Sequence, residues 1–532
     1  MTQRSLSLSI TVAFVCALVL APALIIFSSW GSIDTALWQH FATNVLWDLI
    51  VNTLILTLGV GFGVTLLGVS SAWLISTCDF PGRKYAEWLL MLPLAIPAYV
   101  LAFIALGFFD HFGPLQNLLR FFGSDTLLPD IRTPLGVITV MSLVLYPYVY
   151  MLARLAFKGT GYNLYLASRN LGYGPWQSFF KLALPVARPS IAAGASLAIM
   201  EALADFGAVS VFNFDTFTTA IYKAWFGFFS LPAAAQLSSL LLAFVVLILF
   251  VERYLRFRAR YHTSNAQRAP LTRLSSSARW AATVWCYLII STSFIFPLLQ
   301  LFAWAYEYLE DFTQSLLNLV WHTLLLGGMA AIATLLAAFV LNFNARLYRS
   351  RLDDAANFSA SLGYALPGSI LAVGVMMTLN WVDNQFLVPV ISLFQPVNGL
   401  ILSGTLVGLA LAYIVRFLAV ANGPIQTAFQ RIGLSMTEAA QSLGASQSRI
   451  VTRLYLPLLK PGLFTAMLMV VIEVMKEMPA TLLLRPFGWD TLAVRIYELT
   501  SEGEWERAAV PALFLIMAGL IPVLFLMRRS EK

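Results

Sequence analysis

Charge is scarce in this sequence. Of 532 residues only 11% are Asp, Glu, Lys or Arg, 59% are hydrophobic, and the mean hydropathy is +0.79. A soluble domain of this length has no interior large enough for so much apolar side chain, which excludes a large soluble enzyme. Cysteine is nearly absent. Cys16, Cys78 and Cys286 stand apart without CxxC spacing, which excludes a disulfide framework and a thiolate zinc site. Each reads as a small buried hydrophobe. The four histidines, His40, His111, His262 and His322, are dispersed over loops and helix ends and make no metal cluster. A GxxxxGK[ST] stretch is also missing, so no nucleotide site is expected in this chain.

Long apolar runs fill the chain instead. Many stretches of about 20 residues are nearly free of charge and long enough to cross a bilayer as a helix. A helix satisfies its own backbone hydrogen bonds in lipid, so the expected fold class is an all-α polytopic membrane protein. Twelve spans are expected, near 8–29, 47–77, 86–109, 133–157, 188–208, 231–252, 281–303, 317–342, 356–380, 399–420, 462–484 and 508–527. The first resembles a signal peptide, but its apolar run is too long and no small-x-small site follows, so it reads as a retained span. Gly59, Gly61 and Gly63 lie within an apolar helix and allow close helix packing.

Basic residues set the orientation. With the N-terminus cytoplasmic, about 24 of the 33 Lys and Arg fall in inside segments and about six in outside loops. This predicts a multi-pass membrane protein with both termini cytoplasmic. The net charge of +7 is therefore a property of membrane loops, not of a nucleic-acid surface. The densest cluster, Arg253, Arg256, Arg258, Arg260, Arg268, Arg273 and Arg279, marks residues 253–280 as a basic cytoplasmic linker, a solvated connection that also suits anionic lipid.

The chain repeats itself on either side of that linker. Asn52-Thr53-Leu54 and Pro97 answer to His322-Thr323-Leu324 and Pro367 at an offset of 270; Leu171-Gly172, Pro185, Pro189 and Glu201 answer to Leu443-Gly444, Pro457, Pro461 and Glu473 at an offset of 272. Residues 1–252 and 281–532 thus form two six-span repeats. Six is even, so both enter from one side and the repeats are parallel.

Each repeat carries a polar insert between its fourth and fifth span, at 162–187 and 434–459. The second reads as two short helices with a bend. Gly444 supplies the residue of positive φ, Ser446 the N-cap, and Pro457 the stop to a helix from Gln447. In the first, Gly172 is the bend and Gly174-Pro175 the new start. A short helix exposed below a membrane needs something to dock on; lying on lipid headgroups is the alternative. The pattern Glu438-Ala439-Ala440, Gly444, Leu456-Pro457 resembles the EAA loop of ABC-importer permeases, with Ala167, Ser168, Gly172 and Pro185 as the first copy's matching positions. That resemblance implies a type I permease fold and a loop that docks in a cytoplasmic ATPase. Two ATPase copies would bind ATP and Mg, and a periplasmic or extracellular binding protein would deliver the substrate. EALADFGAVSVFNFDTFTTAIYKAWFG (201–227) and EVMKEMPATLLLRPFGWDTLAVRIYEL (473–499) resemble the two halves of fused ferric-iron uptake permeases. Thiamine or phosphonate is the alternative cargo. From another class, a twelve-span secondary carrier shares the repeats but needs no such inserts.

Charge inside the spans is the remaining signal. Glu201, Asp205, Glu473, Lys476 and Glu477 fall in the fifth span of each half, where ionisable groups are expensive and face the bundle interior. Glu201 and Asp205 are four apart, as are Glu473 and Glu477, so each pair is expected on one helix face. Two readings stand: an acidic lining for a cationic substrate, and an ion-pair network with Lys476 bridging the halves. Arg154 and Arg416 are expected to snorkel or pair. Tyr146, Tyr148 and Tyr150, around Pro147, read as pathway lining or as interior packing.

Overall fold

The computed structural model of the chain describes residues 6–123, 129–257, 271–308, 314–348, 356–357, 359–360, 363, 366–394, 399–430 and 432–530. Six principal helices carry the first half: α1 (Leu6–Ile25), α2 (Leu46–Thr77), α3 (Ala98–Phe109), α4 (Pro134–Asn170), α5 (Leu184–Ala204) and α6 (Leu231–Phe257). Six carry the second: α7 (Ser276–Glu307), α8 (Gln314–Tyr348), α9 (Gly368–Val382), α10 (Leu406–Gln430), α11 (Leu456–Lys476) and α12 (Ala509–Ser530). Among the described residues 10 helices are long and apolar enough to cross a membrane. The other two expected spans are the 15-residue α9 and α12, whose described apolar stretch is Ala509–Ile521. Of the expected basic linker cluster, Arg258, Arg260 and Arg268 lie outside the described residues. Thr272–Arg273 pairs in parallel with Cys78–Asp79, which ties the end of the linker to the turn after α2.

Small residues bring the helices into contact. A Cβ at Gly63 would lie 2.2 Å from Ser142 Oγ, and one at Gly59 would lie 2.5 Å from Ile138 Cδ1, so α2 and α4 touch backbone to side chain. This is how helices associate where lipid removes the hydrophobic drive between them.

The first helix of each half packs on the other half. Val12, Val15 and Val19 of α1 share a buried core with Leu371 and Val375 of α9, and a Cβ at Gly374 would lie 2.1 Å from the Pro22 carbonyl oxygen. In return, Cys286, Ile289 and Ile290 of α7 join the core built on Val64 and Tyr146. Trp285 Nε1 donates to Ser70 Oγ at 3.1 Å, and the Tyr287 hydroxyl to the Gly82 carbonyl at 3.2 Å. The repeats of the sequence are therefore interlocked in space.

Among the described residues the span expected at 356–380 is broken at Leu366-Pro367, and three others are interrupted as well. The one expected at 86–109 is a helix over Arg83–Leu89, a tight turn over Leu92–Ala95 and an extended Ile96-Pro97 before α3 begins. Pro97 drives Ile96 out of the helical region. Those expected at 188–208 and 462–484 end at Ala204 and Lys476, and short helices over Gly207–Val211 and Pro479–Leu484 follow. Irregular backbone at membrane depth persists only where protein or a cavity covers it, and these interruptions converge on one place.

Candidate functional site

The two polar inserts close in the same way. Gly172 has φ +65° and Gly444 φ +74°, the left-handed conformation that glycine adopts without a Cβ penalty. Tyr173 N donates to Ser168 O at 2.9 Å and Ala445 N to Ala440 O at 3.0 Å, the six-to-one bond of a Schellman closure. Ser168 and Ala440 thus act through their carbonyls. Ser446 Oγ accepts from Arg449 N at 3.4 Å, as its N-cap position requires. Glu438 and Ala439 are exposed and Ala440 is half-buried on the short helix Leu434–Ser442. A buried 2.8 Å hydrogen bond between the Thr437 and Tyr455 hydroxyls fastens that helix to the next. In the first copy the arm before the bend, which includes Ala167, is the end of the 37-residue α4.

Pro457 does not stop its helix. The chain runs helically from Gln447 through a wide turn over Val451–Tyr455 into α11, and likewise from Pro175 through Phe179–Ala183 into α5 past Pro185. In the wide turns Leu456 N donates to Val451 O and Leu184 N to Phe179 O, five residues back. Widening the turn moves the carbonyl that the proline ring would strike and uses the donor just before it, so the helix continues. Each insert is therefore one rigid extension of a membrane helix, bent once at glycine.

Away from the inserts, the interrupted helices enclose a cavity of about 110 Å³ between the halves. Its wall takes Pro97 and Tyr99 from the start of α3, Tyr148 from α4 and Arg416 from α10, together with Glu201, Asp205, Glu473, Lys476 and Glu477. All five ionisable residues expected in the fifth spans thus meet at one site; the insert residues are elsewhere. Asp205 and Glu477 differ from expectation. They stand just past the ends of α5 and α11 in extended conformation (ψ 129° and 107°), not one turn along a shared helix face. There each carboxylate caps the next short helix: Asp205 Oδ1 accepts from Ala208 N at 2.7 Å and Glu477 Oε1 from Ala480 N at 3.1 Å. Negative charge at a helix start is favourable, so the same residues that end one helix begin the next.

The cations are held from both sides. Arg416 Nε lies 2.8 Å from Glu477 Oε2, an ion pair by proximity rather than an aligned hydrogen bond, and its NH1 donates to Leu366 O at 3.0 Å. Both partners are buried. Lys476 Nζ donates to Leu94 O at 2.5 Å, so it does bridge the halves, through a backbone carbonyl. The two cations hold the matching segments before Pro367 and Pro97. Four carboxylates against two cations leave the cavity net acidic. Among the described residues no three Asp, Glu, His or Cys groups converge as a metal-binding set.

Arg416, expected from the sequence to snorkel or pair, is a member of the site. At the offset of 272 its counterpart is Val144, so no mirrored arginine drew attention to it. Arg154 pairs instead with Glu87, 3.0 Å away and outside the cavity. Of the three tyrosines around Pro147, Tyr148 lines the cavity while Tyr146 and Tyr150 are buried in the interior.

Comparison with known proteins agrees with this architecture. The family model described as "binding-protein-dependent transport system inner membrane component" matches twice, over residues 64–261 and 335–532. The chain is 28% identical over 499 residues to the Fe(3+)-transport system permease protein FbpB 2 of Haemophilus influenzae, which covers 91% of this chain and 90% of the relative. The molybdenum transport system permease protein ModB of Escherichia coli is 30% identical over 194 residues, 35% of this chain and 83% of the relative. The sulfate transport system permease protein CysT of Escherichia coli is 27% identical over 266 residues, 46% of this chain and 90% of the relative. These two match as single halves would. With two matched copies in one polytopic helical chain, this protein belongs to the family of binding-protein-dependent transport system inner membrane components, as a fused double permease of an ABC importer.

Proposed function

We propose that the cavity between the halves is the transit point of the importer and that its cargo is ferric iron, handed over by a binding protein on the outer face. The observation that carries this reading is the cavity itself: four carboxylates against two cations, on interrupted helices at the seam of the two repeats. Hard oxygen donors suit a small, highly charged cation. The relative that spans nearly the whole chain is an Fe(3+) permease by name.

In this reading the termini and both inserts face the cytoplasm, where the basic loops lie. Two copies of a separate ATPase grip the bends at Gly172 and Gly444. ATP binding draws the two bends together, the halves rock about the cavity, and the pathway opens outward; hydrolysis returns it. A rigid handle is needed to transmit that motion, and the continuous helices through Pro185 and Pro457 provide one.

The test is uptake by the complete complex in proteoliposomes, with purified binding protein and a panel of labelled ferric iron, thiamine, a phosphonate, molybdate and sulfate. ATP-dependent accumulation of iron alone is the expected result. Accumulation of an oxyanion or an organic cargo without iron would overturn the assignment.

A further inference from the structure

The two halves of the cavity are not equivalent at one position. Lys476 is the last residue of α11; its counterpart at the end of α5 is Ala204, and both line the cavity. At the other charged positions where the fifth spans line the cavity, acid answers to acid, Glu201 to Glu473 and Asp205 to Glu477. Of the two cations, Arg416 is committed to Glu477. Lys476 is anchored to the Leu94 carbonyl across the seam, and it shares a helix face with Glu473, three residues before it. Glu201 lines the same cavity. The ammonium sits at the negative end of the α11 dipole.

We propose that the Lys476 ammonium is a tethered counter-cation, seated among the carboxylates that the cargo uses, and that it sets which cations the cavity admits. This rests on the reading of the cavity as the transit point for a cation. A monovalent ion brings no more charge than the ammonium it must displace and gives up its hydration as well. A trivalent ion also gives up hydration, but it interacts about three times as strongly with each carboxylate, and several carboxylates acting together let it compete with the ammonium where a monovalent ion does not. Transit also requires that the site release what it admits. A competing charge within the chain, and carboxylates not gathered into a ligand set, keep the affinity low. Tyr99 adds a donor on the wall: its hydroxyl is buried and without a hydrogen-bond partner among the described residues.

The experiment uses Tb3+, a hard trivalent ion whose luminescence is sensitised by nearby tyrosine, here Tyr99 and Tyr148. The purified full chain in nanodiscs is titrated, and the signal that persists in Glu201→Gln/Glu473→Gln is subtracted as surface binding. Lys476→Ala copies the residue that the first half already carries at this position, and Lys476→Met keeps the stem. Either is expected to raise apparent Tb3+ affinity on the order of 10- to 100-fold, the range of a direct competition between two ligands. Lys476→Arg is expected to remain near the parent, and adding Glu473→Gln to Lys476→Ala to return toward it. Unchanged affinity in both uncharged variants, or equal gains in the arginine and alanine variants, would overturn the proposal. Because no uptake is measured, a failed iron assignment leaves this result readable. Iron uptake with no Lys476 effect would remove this role alone.

Discussion

Replacing Arg416 by methionine is the most demanding test of how the cavity is held. The ion pair Arg416–Glu477 is 2.8 Å long, with side chains only 9% and 4% exposed. At an effective dielectric of about 20 its gross attraction is about 6 kcal/mol. Desolvation of both ions cancels most of that, so the pair as a whole contributes little net stability. Removing one partner is different, because the other stays buried and uncompensated at a cost of about 3–5 kcal/mol. After Arg416→Met the Glu477 carboxylate keeps its hydrogen bond from the Ala480 N–H, and after Glu477→Gln the guanidinium keeps its hydrogen bond to the Leu366 carbonyl. Either single change is therefore expected to be damaging and the double variant Arg416→Met/Glu477→Gln the milder one. At about 1 °C per kcal/mol for a chain of 532 residues, a single change lowers the thermal unfolding midpoint of the purified protein by about 3–5 °C. A double-mutant cycle read on the same midpoints is expected to show about 1–3 kcal/mol of coupling. If the two single losses simply add, the pair does not act as a unit and the argument fails.

Gly444→Asp is expected to leave the protein assembled in the membrane, because the Cβ position is open, while forcing a residue with a side chain to φ +74° at about 1–3 kcal/mol of local strain. Stimulation of the partner ATPase by loaded binding protein should fall, and unchanged uptake would remove the insert from the coupling path. Asp383 is fully buried and accepts from Ile401 N, Leu402 N and Ser403 N at 3.0–3.1 Å. Asp383→Ala strands three donors, so amide exchange over residues 399–405 should accelerate sharply; unchanged protection there refutes the clamp. Gly68→Val places a side chain where a Cβ would already lie 2.7 Å from Val149 Cβ and 2.9 Å from Tyr150 N. Overpacking of that kind costs about 1–3 kcal/mol, read as a lower unfolding midpoint with normal insertion. Gly368→Ala would bring a Cβ to 2.4 Å from Glu477 Oε1 and should impair uptake more than Gly328→Ala, where no atom lies within 4 Å.

Much of this protein was legible in the order of its residues. Apolar runs of bilayer length fix where helices lie, because a backbone in lipid has no other way to satisfy its hydrogen bonds. Gly172 and Gly444 fix the bends through a local steric rule, and the register of 270–272 residues fixes the two halves. One further rule was present but unread. Wide turns end two residues before Pro185, Pro297, Pro389 and Pro457 alike, so proline here continues a helix where the sequence reading took Pro457 as its stop. In water a helix ends cheaply at proline; where the helix must run on into an apolar core, widening the turn keeps it continuous.

Tertiary structure alone decided the rest. That α1 packs on the second half and α7 on the first depends on surface fit between segments hundreds of residues apart. Helix ends at Ala204 and Lys476 arise because Asp205 and Glu477 gain more by capping the following helices than by extending the preceding ones. Arg416 found Glu477 across 61 positions, with no mirrored arginine in the other half to announce it. Periodicity and local sterics act within a few residues and can be read along the chain. A charge buried in a membrane protein is placed by whichever partner the folded seam brings within reach, and that is a property of three dimensions.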